Sequence, residues 1–236
     1  MCRRAVQPSV PVSEFVGFRF PPEVIVLAVR WYLRYSLSYR DVEELLAERG
    51  ITVDHVTIYR WVQRFTPLLV EAARPCRHSP GDRWFVDETH VKVAGRWTSL
   101  YRAIDQIGQV IDVLAAERRD LAPTRRFFTR ALSHSRKPAE ATTDRAPAYP
   151  RALDEQLPTA GHVDVARANN RIESDHSRLT ARLRPMRGLK HLRSAQTISS
   201  GHALIQNIRR GHCELGTDTD PRLRLTTGFA ELTLAI

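Results

Sequence analysis

Three carboxylates have the positions that metal-dependent chemistry would need. Asp87 directly follows the apolar residues 84–86 in a segment of extended pattern, where a buried carboxylate is costly without a partner or a metal. Asp144 closes a short extended segment just before a turn, and Glu173 lies near the start of a helical segment. Two extended segments and one helix thus offer three hard oxygen ligands. A pair of divalent cations about 3.5–4 Å apart requires such a set.

Two Mg²⁺ ions held in this way would activate a water or a sugar 3′-hydroxyl and stabilise the leaving oxygen of a phosphodiester. Ordinary structural roles remain open for the same residues. Asp144 also suits a turn or a helix cap. Glu173 also suits an exposed acid on a helix surface, paired with Arg171 or Arg178.

The helix that carries Glu173 is predicted to begin at Asn169 or Asn170 and to end or bend at Pro185. Its apolar stripe consists of Ile172, Leu179 and Leu183. Glu173 is one residue, about 100° of rotation, from Ile172. We therefore expect Glu173 at the edge of the buried face, where it could face the sheet.

The middle of the chain changes from helical to extended periodicity. Residues 83–93, 97–105 and 110–117, joined by Gly-containing turns, predict three consecutive antiparallel strands. The following segments predict a helix over 123–135, a strand over 140–144, a helix over 147–157 and a brief extended stretch over 161–166. This order is typical of a mixed α/β sheet with helices on its faces.

Three helical segments precede this sheet, between residues 21 and 77. The first has apolar residues at Val24, Ala28, Trp31 and Tyr35. The second opens at Ser38, with Asp41 as a capping-box partner, and stops at Gly50.

The third helix begins near Asp54 and is predicted to point Val56, Tyr59, Val62 and Leu69 inward. Its other side is predicted to expose the candidate DNA contacts His55, Thr57, Arg60, Trp61 and Arg64. This layout is typical of a helix-turn-helix, whose last helix enters the major groove. A three-helix bundle that serves for docking has the same spacing and remains open.

Positive charge is concentrated late in the chain. The net charge is +10, and residues 167–213 carry ten Lys or Arg against two acids. Clustered charge of this kind indicates a protein that neutralises phosphates on a nucleic acid. Arginine-rich composition and a solvated face are the alternative. The candidate DNA contacts in this segment are Arg171, His176, Arg178, Arg182, Arg187 and Lys190.

Length and composition exclude several classes. A chain of 236 residues can hold one α/β domain and a small appendage. It has no apolar run long enough for a membrane span and no secretory signal, so we expect a cytoplasmic protein without a membrane partner. Its three cysteines are far apart, which argues against a disulfide framework or a zinc ribbon. Glu173 and His176 form a single E-x-x-H pair, whereas a di-iron bundle needs two.

The acidic segments VDETHVKVAGRWTSLYRAID, TTDRAPAY and ANNRIESDH, preceded by YSLSYRDVEELLAERGITVDHVTIYRWV, closely resemble the DDE transposases of bacterial insertion sequences, in the group called insertion-sequence family six. The resemblance runs from about Phe18 to Glu214. It includes the helix-turn-helix and all three acidic segments in the right order.

The resemblance implies an RNase H-like core in which Asp87, Asp144 and Glu173 are the catalytic metal ligands for two Mg²⁺ ions, with Mn²⁺ able to substitute. It implies four regions: an N-terminal tail (1–20), a helix-turn-helix domain (21–77), a catalytic domain (78–213) and a C-terminal tail (214–236). It also implies recognition of inverted-repeat ends, hydrolysis of a phosphodiester, attack of the 3′-hydroxyl on target DNA to give a cointegrate, and action as a homodimer or larger assembly.

Two features depart from the family pattern. Related enzymes commonly carry Lys or Arg seven residues after the glutamate, and Thr180 stands there in this sequence. The distance from Asp144 to Glu173 is short, which implies a core without an inserted domain. Two alternatives therefore accompany the transposase: a DNA-binding protein that has lost catalysis, and a structure-selective nuclease that cuts without joining.

Overall fold

Three helices precede an α/β layer structure. The computed structural model describes residues 13–164, 169–183 and 189–236. The N-terminal helices are α1 (Pro22–Arg34), α2 (Tyr39–Ala47) and α3 (His55–Ala73). The strands are β1 (Arg83–Val93), β2 (Arg96–Asp105), β3 (Val110–Ala116), β4 (Glu140–Thr142) and β5 (Gly161–Val163). The other helices are α4 (Leu121–Ser133), α5 (Ala148–Gln156), α6 (Asn170–Leu183), α7 (Leu192–Arg210) and α8 (Arg224–Leu234).

The five strands form one mixed sheet in the order β3-β2-β1-β4-β5. Strands β1, β2 and β3 form the predicted antiparallel meander, whereas β4 runs parallel to β1 and β5 parallel to β4. The β1–β2 turn consists of Ala94 (φ 49°) and Gly95 (φ 78°), as a two-residue type I′ hairpin requires. The predicted fold class, an RNase H-like mixed sheet flanked by helices with an N-terminal helical region, is confirmed.

Both faces of the sheet are covered, and the alternation along β1 decides which face each acid takes. Trp84 and Val86 pack in a cluster with residues of α4 and α5. Phe85 packs in a second cluster with Ile172 and residues of α7. Because side chains alternate along a strand, Asp87 lies on the Phe85 side, toward α6.

The helix caps of the N-terminal region are those that the sequence predicts. Ser38 and Asp41 form a capping box at the start of α2, and the Asp54 side chain accepts hydrogen bonds at the start of α3. Two apolar positions differ from the prediction, which placed Tyr35 within the first helix and pointed Val56 inward. Tyr35 is the exposed residue that follows the end of α1, and Val56 is 44% exposed in the first turn of α3.

Helix α7 is absent from the sequence-based prediction. It packs against α3 and β3, and its residues Ile198, Leu204, Ile205 and Ile208 belong to the hydrophobic cluster of the N-terminal helices. The region expected to be a C-terminal tail contains α8, whose Phe229 and Leu232 join the same cluster. The core of the N-terminal helices is thus completed by the end of the chain.

None of the helices in the described part of the chain combines the length and the apolar character needed to cross a membrane.

Candidate active site

Asp87 lies in the middle of β1, partly buried against α6. Its Oδ1 accepts a hydrogen bond of 2.8 Å from the backbone N–H of Glu88. Its cross-strand neighbour on β2 is Arg102, so a carboxylate and a guanidinium share this part of the sheet surface.

Asp144 lies two residues beyond the end of β4, and not at the last position of that strand as predicted. Its Oδ1 accepts a 3.0 Å hydrogen bond from the Ala146 N–H, which makes it the turn residue before α5 that the sequence left open. Its Oδ2 lies 3.0 Å from the guanidinium of Arg119. The role of Asp144 in the turn is therefore compatible with a role as a metal ligand.

Glu88 is a third acid near Asp87 and Asp144, and sequence reasoning missed it. It is buried on the opposite face of β1 from Asp87, where it accepts a hydrogen bond from the Tyr149 hydroxyl and pairs with Arg119. Burial raises the pKa of Glu88. The available signal was a second acid directly after Asp87 inside an apolar strand.

One carboxylate oxygen from each of Asp87, Glu88 and Asp144 lies within 4.8 Å of the other two. Burial, followed by the charge of Glu88 and with smaller contributions from Asp144 and Glu173, raises the pKa of Asp87 to about 7. A raised carboxyl pKa beside like charges indicates negative charge that is incompletely neutralised. These hard oxygen donors fit a divalent cation such as Mg²⁺.

Helix α6 brings Glu173 to the same end of the sheet. The Asn169 side chain donates a 3.1 Å hydrogen bond to the carbonyl of Val86, the residue before Asp87. The backbone carbonyl of Asn169 accepts hydrogen bonds from the N–H groups of Ile172 and Glu173. The first turn of α6 is thereby fixed next to β1. Ile172 and Leu179 are fully buried, as the predicted stripe requires.

The Glu173 side chain is exposed and forms no ion pair with any residue in the described ranges, including Arg171 and Arg178. It is not part of the 4.8 Å cluster. Its charge nevertheless contributes to the raised pKa of Asp87. The negative charge of Glu173 therefore acts on Asp87, and the role of Glu173 as a metal ligand stays a prediction.

Asp175 secures the middle of α6 and was not predicted to have any role. It is 2% exposed and forms ion pairs with the fully buried Arg102 of β2 and, at 2.7 Å, with Arg210 of α7. Burial alone would raise its pKa, but the charges of these two arginines hold the pKa below its usual range. Sequence periodicity could not identify this ion-pair network, because its three members come from three distant elements.

His176 is buried beside the site, with Nδ1 3.6 Å from Asp87 Oδ2, too far for a hydrogen bond. Burial, followed by the charge of Arg102, lowers the pKa of His176 to about 4. The imidazole is therefore neutral near neutral pH. His176, a candidate DNA contact, is thus buried and not on an open surface, and its position behind Asp87 suits a residue that supports the metal ligands.

A family model described as a DDE domain matches residues 81–212, which contain Asp87, Glu88, Asp144, Glu173 and Asp175. The chain belongs to the DDE transposases of bacterial insertion sequences. Transposases of Staphylococcus aureus are its relatives: that of the insertion sequence-like element IS431mec in strain N315 is 38% identical over 169 residues, covering 70% of this chain and 75% of the relative. The transposase of IS257 in transposon Tn4003 is 37% identical over the same shares.

Two retroviral structures are among the solved structures that resemble this chain. The catalytic core of HTLV-2 integrase in complex with magnesium, in its trimeric form, has a TM-score of 0.44 and 19% identity, over 64% of this chain and 97% of that one. A simian T-cell lymphotropic virus intasome bound to a PP2A regulatory subunit has a TM-score of 0.44 and 16% identity, over 78% and 70% of the two chains. The family assignment rests on the sequence matches and not on these likenesses.

In this transposase, fewer of the predicted residues are available on the outer face of α3 than the sequence suggested. Trp61 is 2% exposed and packs edge-on against Phe20, so its placement on the outer face was wrong. Phe20 comes from the segment before α1, which the pattern of α3 alone does not include. His55 contacts Glu43 of α2 at 3.0 Å, and the Thr57 hydroxyl donates to Asp54.

Two exposed arginines remain on this face of the transposase. Arg64 pairs with Glu14 at 2.9 Å. Arg60 is exposed, and no ion pair involves it in the described part of the chain. Of the residues predicted on α3, Arg60 is therefore the one whose charge is most available.

The candidate DNA contacts of the later segment separate into three groups. Arg171, Arg178 and Lys190 are exposed. Arg182 is only 4% exposed, donates to the Tyr32 carbonyl and stacks on the Tyr32 ring, so its expected place on an open surface was wrong. Arg187 lies outside the described residues. Thr180 is exposed, at the position where the family commonly has a basic residue.

Proposed function

We propose that this transposase cuts a phosphodiester at each end of its insertion sequence and joins the freed 3′-hydroxyls to target DNA, giving a cointegrate. The observation that carries the proposal is the acidic cluster of Asp87, Glu88 and Asp144, set beside the helix of Glu173 within the DDE domain. The concentration of arginine in the same part of the chain supports DNA as the substrate.

In this proposal, Asp87, Asp144 and Glu173 hold two Mg²⁺ ions, for which Mn²⁺ can substitute. The bound ions would supply Lewis acidity for activating the attacking oxygen and stabilising the leaving oxygen of the phosphodiester. Asn169 fixes the first turn of α6 against β1, and His176 packs behind Asp87. These two residues keep the carboxylates oriented toward one another.

The N-terminal helices are proposed to recognise the inverted-repeat ends. A capped α2, a turn with Gly50 at φ 74° and a capped α3 have the arrangement of a helix-turn-helix. In this proposal, the exposed Arg60 contacts base edges. We infer action as a homodimer or larger assembly on paired ends, in the cytoplasm. The proposed division is an N-terminal tail over 1–20, recognition over 21–77, catalysis over 78–213 and a C-terminal tail over 214–236.

The test is the frequency of cointegrate formation in cells that carry a marked element and the transposase. We expect activity with the wild type and none with Asp144→Asn, since the amide cannot replace a charged metal ligand. A Thr180→Lys variant, with Ser177→Lys on the same helix as its control, reports on the missing basic residue. Activity that survives Asp144→Asn would contradict the proposal.

A second candidate is a DNA-binding protein that has lost strand transfer. The observation that favours it is the exposed Thr180, where related enzymes have a basic residue. This candidate predicts duplex binding that needs neither Mg²⁺ nor Asp144, and no cointegrates from the wild type. Cointegrates only from Thr180→Lys would identify a weakened transposase instead.

A further inference from the structure

A second basic site lies beyond the acidic cluster, in a groove bounded by the end of α1, the second half of α6 and the second half of α7. We call it the α1–α6–α7 groove. Its volume is about 530 Å³. The arginines that line it are Arg34, Arg178, Arg182, Arg209 and Arg210. The described residues that line it include no Asp or Glu.

The positive charge in this groove is largely uncompensated. Arg210 is paired with Asp175, but no ion pair in the described ranges involves Arg34, Arg178 or Arg209. Burial, followed by the charges of Arg34 and Arg210, lowers the pKa of Arg209. Like charges that crowd together raise the free energy of the unliganded protein, so a polyanion in the groove would be stabilising.

A buried histidine with an unsatisfied ring nitrogen also belongs to the lining of this groove. His202 of α7 lines it and is only 4% exposed. Its Nε2 lies 3.1 Å from the amide nitrogen of Gln206, so Nε2 accepts a hydrogen bond and Nδ1 carries the proton. Nδ1 has no hydrogen-bond partner among the described residues. A buried donor without an acceptor is costly, and an oxyanion entering the groove would satisfy it.

The groove lies between the two proposed functional regions. Helix α6 provides both Glu173 and Arg178, which are five residues, about 7.5 Å, apart along the helix axis. Arg34 is near the end of α1, and the groove also includes Ser36, two residues before the Ser38 cap of α2. The wall of the groove therefore contains residues next to both proposed functional regions.

We propose that the α1–α6–α7 groove binds the sugar–phosphate backbone of duplex DNA, with Arg34, Arg178 and Arg209 contacting phosphates and His202 donating to a phosphate oxygen. The inference rests on the proposed function. It adds three residues that sequence reasoning did not select, and it gives the element's DNA a path between recognition and cleavage.

The test measures binding of a random-sequence duplex at several salt concentrations. Each phosphate contact contributes about 0.9 to the slope of log affinity against log salt concentration. We expect the Arg178→Gln/Arg209→Gln variant to reduce that slope by about 2. The charge-matched control is Arg126→Gln/Lys137→Gln, which changes exposed residues of α4 and of the loop after it and is expected to keep the wild-type slope.

The outcomes separate this inference from the proposed function. A wild-type slope in the groove variant, or an equal reduction in the control, overturns the groove while leaving the transposase proposal standing. A wild-type protein that binds no duplex overturns both. Thermal unfolding confirms that the variants are folded. If the double variant unfolds, Arg209→Gln alone is used, with an expected reduction of about 1.

Discussion

Arg119 places a positive charge against Asp144, which we expect to hold metal, and against the neighbouring acid Glu88. Its guanidinium contacts Glu88 and lies 3.0 Å from Asp144, while its side chain is almost half exposed. Removing that charge leaves the carboxylates with less compensation, so a divalent cation should bind more tightly. We expect Arg119→Gln to lower the Kd for Mn²⁺ roughly tenfold, about 1.4 kcal/mol, in calorimetric titration.

The control for this prediction is Arg118→Gln, which removes an exposed charge from the neighbouring position. It should change the Kd much less. Weaker binding in Arg119→Gln would instead mean that Arg119 positions the carboxylates and does not compete with the metal.

Substitution to glutamine should distinguish the roles of Glu88 and Glu173 in strand cleavage. Glu173 is proposed as a metal ligand, so Glu173→Gln should reduce strand cleavage by about a thousandfold or more. Glu88 is held on the opposite face by Tyr149, so Glu88→Gln should cost about 10–100-fold, the range for residues behind a metal ligand. Cleavage of a labelled duplex gives both values. The reverse ranking would place Glu88 in the triad.

Single residues show where sequence reasoning stops. Asp87 could be selected because an acid inside an apolar strand needs an explanation. Glu88 carries the same signal but was passed over, because strand alternation places it on the other face and only the folded β4 and its following turn bring Asp144 near both acids.

Helix α6 depends on a buried ion pair for its position. Asp175→Asn would leave Arg102, which is fully buried, without its charged partner. Loss of one member of such a pair costs about 3 kcal/mol or more of unfolding free energy. Urea denaturation should show this loss, whereas the double variant Arg102→Met/Asp175→Leu should recover much of it. A single variant as stable as the wild type would show that the pair does not hold α6.

Helix α7 makes stability depend on pH through His202. Burial, followed by the charge of Arg102, lowers its pKa from 6.5 to about 3, and Asp175, Arg182 and Arg210 also face it. As pH falls, His202 is therefore protonated at a higher pH in the unfolded chain than in the folded protein. The contribution of neutral His202 to the free energy of unfolding is complete above about pH 6.5 and falls by about 1.4 kcal/mol per pH unit as pH drops toward 3.

Replacing His202 by Gln should remove this contribution, about 2 kcal/mol between pH 6.5 and pH 5. Urea unfolding at the two pH values measures it. His191→Gln changes an exposed histidine at the start of the same helix and is the control. An unchanged pH dependence in the His202 variant would contradict the buried neutral imidazole.

Local signals predicted most elements, but not every buried face. The capping box at Ser38, the Asp54 cap and the strand meander follow from neighbouring residues alone. The burial of Trp61 depends on Phe20, which the pattern of α3 does not contain. Helix α7 has apolar and small residues on several sides because α3 and β3 both cover it, so no single stripe marked it as a helix.

The molecule is held together where α7 crosses the N-terminal helices. A Cβ at Gly201 would lie 2.6 Å from Leu33 Cδ2 and 2.7 Å from Thr66 Cγ2, and both of those residues are fully buried. Gly201→Ala should therefore destabilise the protein by about 1–2 kcal/mol, despite the better helix propensity of alanine. Gly161→Ala is the control, because its Cβ would meet no atom closer than 3.8 Å.

Thermal unfolding of the two glycine variants tests how closely α7 approaches α1 and α3. A lower Tm for Gly201→Ala alone is expected. Equal stability of Gly201→Ala and wild type would mean that the helices can separate without loss. The sequence did not suggest this contact, since it joins residues more than 130 positions apart.

The central claim is that the acidic cluster performs DNA cleavage and does not serve DNA binding. One measurement tests it most directly: release of a 3′-hydroxyl end from a labelled duplex carrying the element's end, in Mg²⁺, with duplex binding measured in the same samples. Asp87→Asn and Asp144→Asn should lose cleavage and bind within about twofold of the wild type. Cleavage that persists in both variants would contradict the account.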